Sequence, residues 1–329
     1  MILVIFVKVP LILFIQYMTE NNFPYVLENL TGFKTINETT DWLATQSSSL
    51  KDELATNGAL LFRGFPIKNA EDFDEFSLVF NYGNFTYEES LSNAVRINKT
   101  PRVFTANEAP PEMEIFLHHE MAQTPIYPEK IFFCCLSAAE EGGATPICPS
   151  DKVYEALKKD HPVWLKKLTT LGLKYSTLMP DKNELNSGQG RGWRSTLSVT
   201  NREEAERKLK RLGYTWEWQE DYSLLSTTPI LPAVTELPDG RKSFFNQVIA
   251  AHKGWKTKAS SSTPVVTFGN GEHINEDLLN SIVEIAENLT ISLEWQTGDV
   301  LLVDNKRVMH GRYPFSGSKK RELVVCLAI

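Results

Sequence analysis

Residues 295–312 of this chain read WQTGDVLLVDNKRVMHGR and combine a strand pattern with one histidine. A polar turn around Gly298 leads into the apolar run 300–303, and a second polar turn follows at Asp304 and Asn305. This order predicts a buried β-strand followed by a tight turn. His310 follows that turn, where a histidine on its own more often bonds to backbone than binds a metal.

A second histidine motif lies far upstream, at residues 117–121, LHHEM. Residues two apart on a strand point to the same side, so His118 and Glu120 can reach one ion while His119 points away. This H-x-E pattern alone is a weak signal. Together with His310 it supplies two imidazoles and one carboxylate, the triad that holds non-haem Fe(II) and leaves coordination positions open. The sequence therefore predicts a metal site formed by His118, Glu120 and His310.

Several blocks in a fixed order resemble a known family. The blocks LFRGF at 61–65, H-x-E at 118–120, GGATP at 142–146 and the segment 298–312 are similar to those of TauD/TfdA-like Fe(II)/2-oxoglutarate oxygenases. Glu120 in place of the more usual aspartate resembles the clavaminate synthase-like branch, as do FTANE at 104–108, HEMAQ at 119–123 and GRGWRST at 190–196. The resemblance implies a mainly β fold with flanking helices, built on a double-stranded β-helix (jelly roll).

The resemblance also implies the co-substrate site. Arg321, eleven residues after His310, matches the family arginine that binds the far carboxylate of 2-oxoglutarate, a task that suits the planar guanidinium fork. Arg312 is the competing candidate. Thr145 matches a family threonine that donates its hydroxyl to a 2-oxoglutarate carboxylate, whereas a threonine after two glycines is otherwise an ordinary turn residue.

The family reaction couples O2-dependent decarboxylation of 2-oxoglutarate to succinate and CO2 with oxidation of an unactivated C–H bond. Related halogenases lack the ligating carboxylate, so the presence of Glu120 argues against halogenation. Hydroxylation is the expected outcome, and desaturation and ring closure share the same ligands. The expected substrate is an amino acid or amino-acid-like carboxylate, either free or tethered to a peptidyl carrier protein.

Three residues are candidate substrate ligands. Arg191 and Arg194 follow a long polar stretch that can form a lid, where an arginine suits a substrate carboxylate, but both can equally pair with local acids. Asn246 can orient a polar group of the substrate or satisfy backbone groups.

Composition restricts the class of protein. With 329 residues and 42% hydrophobic content, the chain can bury a substantial core, and the ordered motifs favour a single domain over residues 18–329. The net charge of −7 argues against a nucleic-acid partner, because neutralising phosphates requires a basic surface. The four cysteines show no C-x-x-C spacing, which favours reduced thiols and a cytoplasmic location.

Residues 1–17 are strongly apolar. They lack a basic region and a cleavage site, and they fall short of the roughly 20 residues that span a bilayer comfortably. Three interpretations remain: a start codon assigned too far upstream, with Met18 as the true beginning, a membrane anchor, or an added packing strand. The first is favoured.

Periodicity predicts helices near 38–57, 69–80, 150–171, 201–212 and 275–288, and strands at 131–136 and from 291 to the C-terminus. Within 150–171, Ser150 is predicted as a helix cap and His161, before Pro162, as helix punctuation. The main alternative function is a metal-binding jelly-roll protein without oxygenase activity. A purely structural metal site would not need residues that bind a dicarboxylate, as Arg321 and Thr145 are expected to do. It would also tend to have a fourth protein ligand, which the sequence does not offer.

Overall fold

Short apolar strands and amphipathic helices alternate along the chain. The computed structural model describes residues 23–86, 90–92, 94, 96–183, 191–255 and 264–329, so the prediction for residues 1–17 lies outside the described residues. The helices described are α1 (Ile36–Asn57), α2 (Ala70–Leu78), α3 (Ser150–Asp160), α4 (Pro162–Leu171), α5 (Trp193–Leu197), α6 (Arg202–Arg211), α7 (Val248–Gly254) and α8 (Glu276–Asn288). The strands described are β1 (Tyr25–Glu28), β2 (Ala59–Arg63), β3 (Val103–Thr105), β4 (Ile115–His118), β5 (Lys130–Ser137), β6 (Glu141–Gly142), β7 (Thr145–Pro149), β8 (Leu173–Met179), β9 (Thr215–Trp218), β10 (Leu224–Thr227), β11 (Thr235–Glu236), β12 (Lys242–Ser243), β13 (Val266–Phe268), β14 (Ile291–Leu293), β15 (Val300–Asp304), β16 (Val308–Arg312), β17 (Phe315–Ser316) and β18 (Glu322–Ala328).

Two sheets form the centre of the molecule. A six-stranded sheet has the order β1-β2-β15-β5-β18-β3, and a four-stranded sheet has the order β14-β7-β16-β4. Apolar side chains from both sheets pack together between them, among them Phe133 and Leu301 from the first and Ile147 and Val308 from the second. The predicted mainly β architecture with flanking helices is therefore confirmed.

Helices cover the outer faces of these two sheets. Residues of α1 and α2, such as Leu54 and Phe76, pack on the six-stranded sheet. Residues of α3 and α8, such as Leu157 and Ile282, pack on the outer face of the four-stranded sheet, where Met309 of β16 contributes to the same cluster. Because Val308 faces inward and Met309 faces outward, strand alternation turns His310 into the space between the sheets.

The helix predictions are confirmed at α1, α2, α6 and α8 and over 150–171, but the predicted cap at Ser150 is wrong. The segment predicted as helical over 150–171 forms two helices, α3 and α4, and they are separated at His161, the predicted punctuation. Pro162 has no backbone N–H and disfavours helical backbone at the residue before it, so a new helix begins there. Ser150 does not cap α3, because its hydroxyl instead bonds to His119 Nε2 at 2.8 Å.

A buried ion pair fixes the turn before β15. Asp299 is fully buried, and its Oδ2 lies 2.7 Å from Arg63 Nη2 at the end of β2. The same carboxylate oxygen accepts a hydrogen bond of 2.9 Å from the backbone N–H of Gln296. Two of the sequence blocks noted above are thus joined to each other by a structural contact. Among the described residues, no helix combines the length and apolarity needed to cross a bilayer.

Candidate metal centre and active site

His118 and His310 face each other across two strands. They are register partners in the antiparallel pairing of β4 with β16, and their ring centroids are 4.4 Å apart. Gly311 permits this close approach, since a Cβ there would lie 2.4 Å from the carbonyl oxygen of Ile115. The edge of the Phe133 ring packs on His310, with centroids 5.0 Å apart.

Glu120 completes the group. Its Oε2 lies 3.6 Å from His310 Nε2 and 3.9 Å from His118 Nε2. The three ligand atoms all lie within 4.8 Å of one another. Among the described residues, these are the three side chains found close enough together to bind one metal ion. The structure therefore brings together the residues that the sequence predicts as ligands.

The reason for this convergence differs from the prediction. Strand β4 ends at His118, and Glu120 lies in the turn that follows, so alternation along a strand does not place it. Asn305 does: its Oδ1 accepts from the Glu120 N–H at 2.8 Å, and its Nδ2 donates to the Glu120 carbonyl at 2.9 Å. The tight turn after β15 thus holds the turn after β4.

His119 points away from this group, as expected. It is fully buried, its Nδ1 bonds to the carbonyl oxygen of Asn305, and its Nε2 lies 2.8 Å from Ser150 Oγ. Burial lowers the pKa of His119 to about 3, so the ring is neutral and acts as a fixed spacer between the two turns.

Two of the candidate ligands, His118 and Glu120, have the protonation states that a cation requires. Burial and the neighbouring His310 lower the pKa of His118 to about 4, and its Nδ1 donates to the Phe116 carbonyl at 2.8 Å, which leaves Nε2 as the free acceptor. Burial by itself raises the pKa of Glu120, but Arg96 and both histidines outweigh it and hold the pKa well below its usual range. A neutral imidazole and an ionised carboxylate are the metal-binding forms, so these side chains fit Fe(II).

A cavity of about 310 Å³ opens on this group and also contains Thr145 and Arg321. The guanidinium of Arg321 donates to the Gly143 carbonyl at 3.0 and 3.2 Å. Burial and the charge of Arg312 lower the pKa of Arg321 to about 10, so it remains a cation at neutral pH. Gly143 has a φ of 72°, and a Cβ there would lie 2.9 Å from Arg321 Nε, so this position needs glycine.

Thr145 begins β7 on the inner face of the four-stranded sheet. Its Oγ1 accepts a hydrogen bond of 2.9 Å from Trp295 Nε1. A hydroxyl that accepts in this way keeps its own hydrogen to donate. Thr145 and Arg321 thus line one cavity with the three candidate ligands.

Arg312, the competing candidate, has a different set of partners. Its guanidinium donates to the carbonyl oxygens of Ala109, Pro110 and Met113 at 3.0, 2.6 and 2.7 Å. It therefore fastens the segment before β4 to β16. This geometry favours Arg321 over Arg312 for the carboxylate.

The three predicted substrate ligands do not join this site. Arg191 donates to the Ser92 carbonyl and to Ser195 Oγ, at 2.8 and 3.1 Å. Arg194 pairs with Asp181 at 2.6 Å and is 47% exposed. Asn246 donates to the Ala233 carbonyl and accepts from the Val248 N–H, so backbone groups satisfy its amide. Arg191, Arg194 and Asn246 are absent from the described residues that line the cavity.

Sequence reasoning missed Arg96. Its Nη2 lies 2.9 Å from Glu120 Oε1, and it lines the same cavity. A single arginine in an irregular segment 24 positions before Glu120 gives no local pattern, so folding alone reveals this contact. The sequence placed Asn305 in a polar turn, but it did not predict the hydrogen bonds between Asn305 and Glu120.

Comparison with known proteins agrees with this geometry. The family model described as taurine catabolism dioxygenase TauD, TfdA family, matches residues 28–327. A clavaminate synthase-like protein of Arabidopsis thaliana is 37% identical over 288 residues, which are 87% of this chain and 87% of that protein. The dapdiamide synthesis protein DdaC of Enterobacter agglomerans is 28% identical over 283 residues, 81% of each chain.

Solved structures share the fold. PvcB of Pseudomonas aeruginosa has a TM-score of 0.51 and 14% sequence identity, and the match covers 92% of this chain and 84% of that one. At that identity the likeness shows the fold alone, and it agrees with a jelly-roll core. The family match over nearly the whole chain, together with the clavaminate synthase-like relative, places this protein in the TauD/TfdA family, as an Fe(II)/2-oxoglutarate-dependent dioxygenase of the clavaminate synthase-like branch.

Proposed function

We propose that this dioxygenase hydroxylates an unactivated C–H bond of an amino acid or amino-acid-derived substrate and releases succinate and CO2. We further propose that His118, Glu120 and His310 hold Fe(II), while Thr145 and Arg321 hold 2-oxoglutarate. The observation that carries the proposal is the shared cavity: the three candidate ligands and a threonine–arginine pair suited to a dicarboxylate line one space of about 310 Å³.

Each residue has a defined task in this proposal. The bound metal with 2-oxoglutarate supplies the oxidising chemistry. His118 and His310 would each offer an imidazole nitrogen to the metal, and Glu120 presents an ionised carboxylate. The Arg321 guanidinium binds the far carboxylate of 2-oxoglutarate, and the Thr145 hydroxyl donates to a carboxylate oxygen. The apolar side chains of Phe133, Leu323 and Val325 also line the cavity and limit water near the reacting carbon.

The substrate class is supported by the relatives rather than by the cavity. The similarity to a dapdiamide synthesis protein favours a biosynthetic role with an amino-acid-like substrate, delivered free or on a peptidyl carrier protein. We also propose a cytoplasmic location, because all four cysteines are free and buried.

The test is a substrate screen with Fe(II), 2-oxoglutarate and O2. Free amino acids and their pantetheine thioesters are incubated with the protein, and succinate and product mass are measured. We expect succinate release in step with a product that gains one oxygen atom, and preference for thioesters would indicate carrier delivery. A product that loses two hydrogens would replace hydroxylation by desaturation. If 2-oxoglutarate is consumed equally with and without every amino-acid compound, the proposed substrate class is wrong.

A further inference from the structure

The two carboxylate oxygens of Glu120 have different neighbours. Oε1 lies 2.9 Å from Arg96 Nη2, whereas Oε2 faces the Nε2 atoms of His310 and His118 at 3.6 and 3.9 Å. The side chains of Arg96 and Glu120 are only 7% and 6% exposed. The carboxylate is thus oriented, with one oxygen toward an arginine and the other toward the two histidines.

Arg96 is itself held in place. Its guanidinium lies over the Phe104 ring, 5.4 Å from the centroid. Phe104 belongs to β3, at the edge of the six-stranded sheet, and is 2% exposed. Contact with an aromatic face fixes the plane of an arginine more firmly than solvent would. Arg96 therefore offers a hydrogen-bond donor of defined position to Glu120.

We infer that Arg96 is a positioning residue that restricts Glu120 to coordination through Oε2 alone. This inference rests on the proposed role of Glu120 as an Fe(II) ligand. A carboxylate can bind a cation through one oxygen or through both. A charge-assisted hydrogen bond on Oε1 competes with coordination by that atom, because moving Oε1 to the metal would leave a buried arginine without that partner.

The consequence concerns the open coordination positions. A facial triad leaves three positions for reagents only while its carboxylate occupies one. If Glu120 bound through both oxygens, it would occupy a position that 2-oxoglutarate or O2 needs. Arg96 therefore keeps that position available, and it does so without touching the co-substrate.

The experiment compares Co(II) binding by wild-type protein, Arg96→Gln and Arg96→Lys, with Co(II) as a spectroscopic probe. Arg102→Gln is the matched control, because Arg102 also forms a largely buried ion pair, with Asp74 at 3.3 Å, and is absent from the described cavity lining. Circular dichroism first establishes which variants are folded. Affinity is measured by titration, and coordination is followed by the shape of the Co(II) absorption spectrum.

We expect Arg96→Gln to bind Co(II) about 10- to 100-fold more weakly, as is typical when a partner of a metal ligand is lost. Its spectrum should differ in shape from that of wild type, because the carboxylate is no longer held by Oε1. Arg96→Lys should recover part of the affinity, and Arg102→Gln should match wild type in both respects. If Arg96→Gln does not fold, Arg96→Met, whose side chain has no hydrogen-bond donor, takes its place.

Other results would overturn the inference. A folded Arg96→Gln, or failing that Arg96→Met, with wild-type affinity and spectrum would show that Arg96 does not position Glu120. Wild-type protein that fails to bind Co(II) would overturn the metal assignment and this inference together. Failure of the proposed metal site is thereby distinguished from failure of the role of Arg96 alone.

Discussion

At the residue scale, two histidines and one glutamate meet with little exposure to solvent, since their side chains are 17%, 6% and 6% exposed for His118, Glu120 and His310. Burial alone would favour protonation of Glu120, but the charge of Arg96 and the two imidazoles opposes it and keeps the carboxylate ionised. The same burial keeps His118 neutral, with a pKa of about 4. His118 and Glu120 can therefore bind a cation at neutral pH without first releasing protons.

Either histidine should be indispensable. We predict that His118→Ala and His310→Ala abolish iron-dependent turnover, because two remaining ligands cannot hold Fe(II) with useful affinity. Turnover is measured as succinate release with saturating 2-oxoglutarate. His252→Ala serves as the control, since His252 is near the end of α7 and bonds to Asn280. Wild-type turnover in either ligand variant would contradict the assignment.

Arg321 should control binding of the co-substrate rather than of the metal. We predict that Arg321→Ala weakens 2-oxoglutarate binding by on the order of 100-fold, from the loss of a charge-assisted contact of about 3 kcal/mol. Arg321→Lys should recover part of this loss, and Mn(II) affinity should be unchanged in both. Calorimetric titration of each ligand gives the two constants.

Arg312→Ala is the informative comparison. Because Arg312 is bonded to three backbone carbonyls, its removal should lower stability more than 2-oxoglutarate affinity. A large loss of affinity there, with Arg321→Ala unaffected, would transfer the carboxylate-binding role to Arg312.

Among single residues, the sequence identified those that belong to a recognisable motif. The H-x-E spacing and the strand before His310 pointed to the ligands, and the family resemblance pointed to Thr145 and Arg321. Arg191 and Arg194 were chosen for their place near a polar stretch and Asn246 for its residue type, and the partners described above for them are local or backbone groups. Arg96 carried no pattern at all, because its role depends on a contact made only in the folded chain.

At the element scale, the turn between β15 and β16 positions the turn after β4. Asn305 is fully buried, and besides its two bonds to Glu120 its Nδ2 donates to the Pro128 carbonyl at 2.7 Å. His119 bonds to the Asn305 carbonyl, so the two turns are joined by both residues. The histidine on β16 and the carboxylate after β4 are thereby held in one geometry.

Removing Asn305 should loosen both turns. We predict that Asn305→Ala lowers the free energy of unfolding by about 2–4 kcal/mol, because buried backbone groups lose their partners, and weakens Mn(II) binding by about 10- to 100-fold. Urea unfolding of the metal-free protein and calorimetric titration measure the two effects.

Asn246→Ala is the control for that variant, since Asn246 is equally buried and also bonds to backbone groups away from the ligands. It should lose stability while keeping metal affinity. Equal metal affinity in Asn305→Ala and Asn246→Ala would count against a positioning role for Asn305.

Sequence reasoning at the element scale depended on how local the signal was. Helices with a side-chain cap and a periodic apolar face, such as α1 and α8, were found within a few residues. The break between α3 and α4 was also predictable, because a proline at 162 is a local signal, whereas the bond that draws Ser150 away from the cap of α3 is not. Glu120 was assigned to a strand because spacing alone cannot show where β4 ends.

At the scale of the whole molecule, the site is formed by segments that are distant in sequence. Glu120 and Asn305 are 185 positions apart, and Arg321 precedes β18 of the other sheet. The metal would join β4, β16 and the turn beside them. A cation that binds only this folded arrangement must stabilise the entire fold.

Metal binding should therefore raise thermal stability. We predict that Mn(II) at about 100 times its Kd adds about 2.7 kcal/mol, a rise in Tm of roughly 5 °C, and that EDTA reverses it. His310→Ala should show no such rise. Thermal unfolding followed by circular dichroism provides the comparison, and an equal rise in His310→Ala would place the ion elsewhere.

The overall architecture was predictable from the sequence, whereas the cavity was not. The order of the sequence blocks resembles that of a known family, and this resemblance implies the jelly-roll fold. The walls of the cavity come from at least five separated segments, including residues near 96, 107, 118, 310 and 321, and their approach is a property of the packed sheets. Substrate identity depends on those walls, which is why it could not be obtained from motifs.

The most direct test of the central claim is an anaerobic titration of the Fe(II)-loaded protein with 2-oxoglutarate, followed by visible absorption. The account predicts a charge-transfer band that saturates at one equivalent, appears only with both components present, and is lost in His310→Ala and weakened in Arg321→Ala. Bound Fe(II) without such a band at saturating 2-oxoglutarate would contradict the joint site for metal and co-substrate.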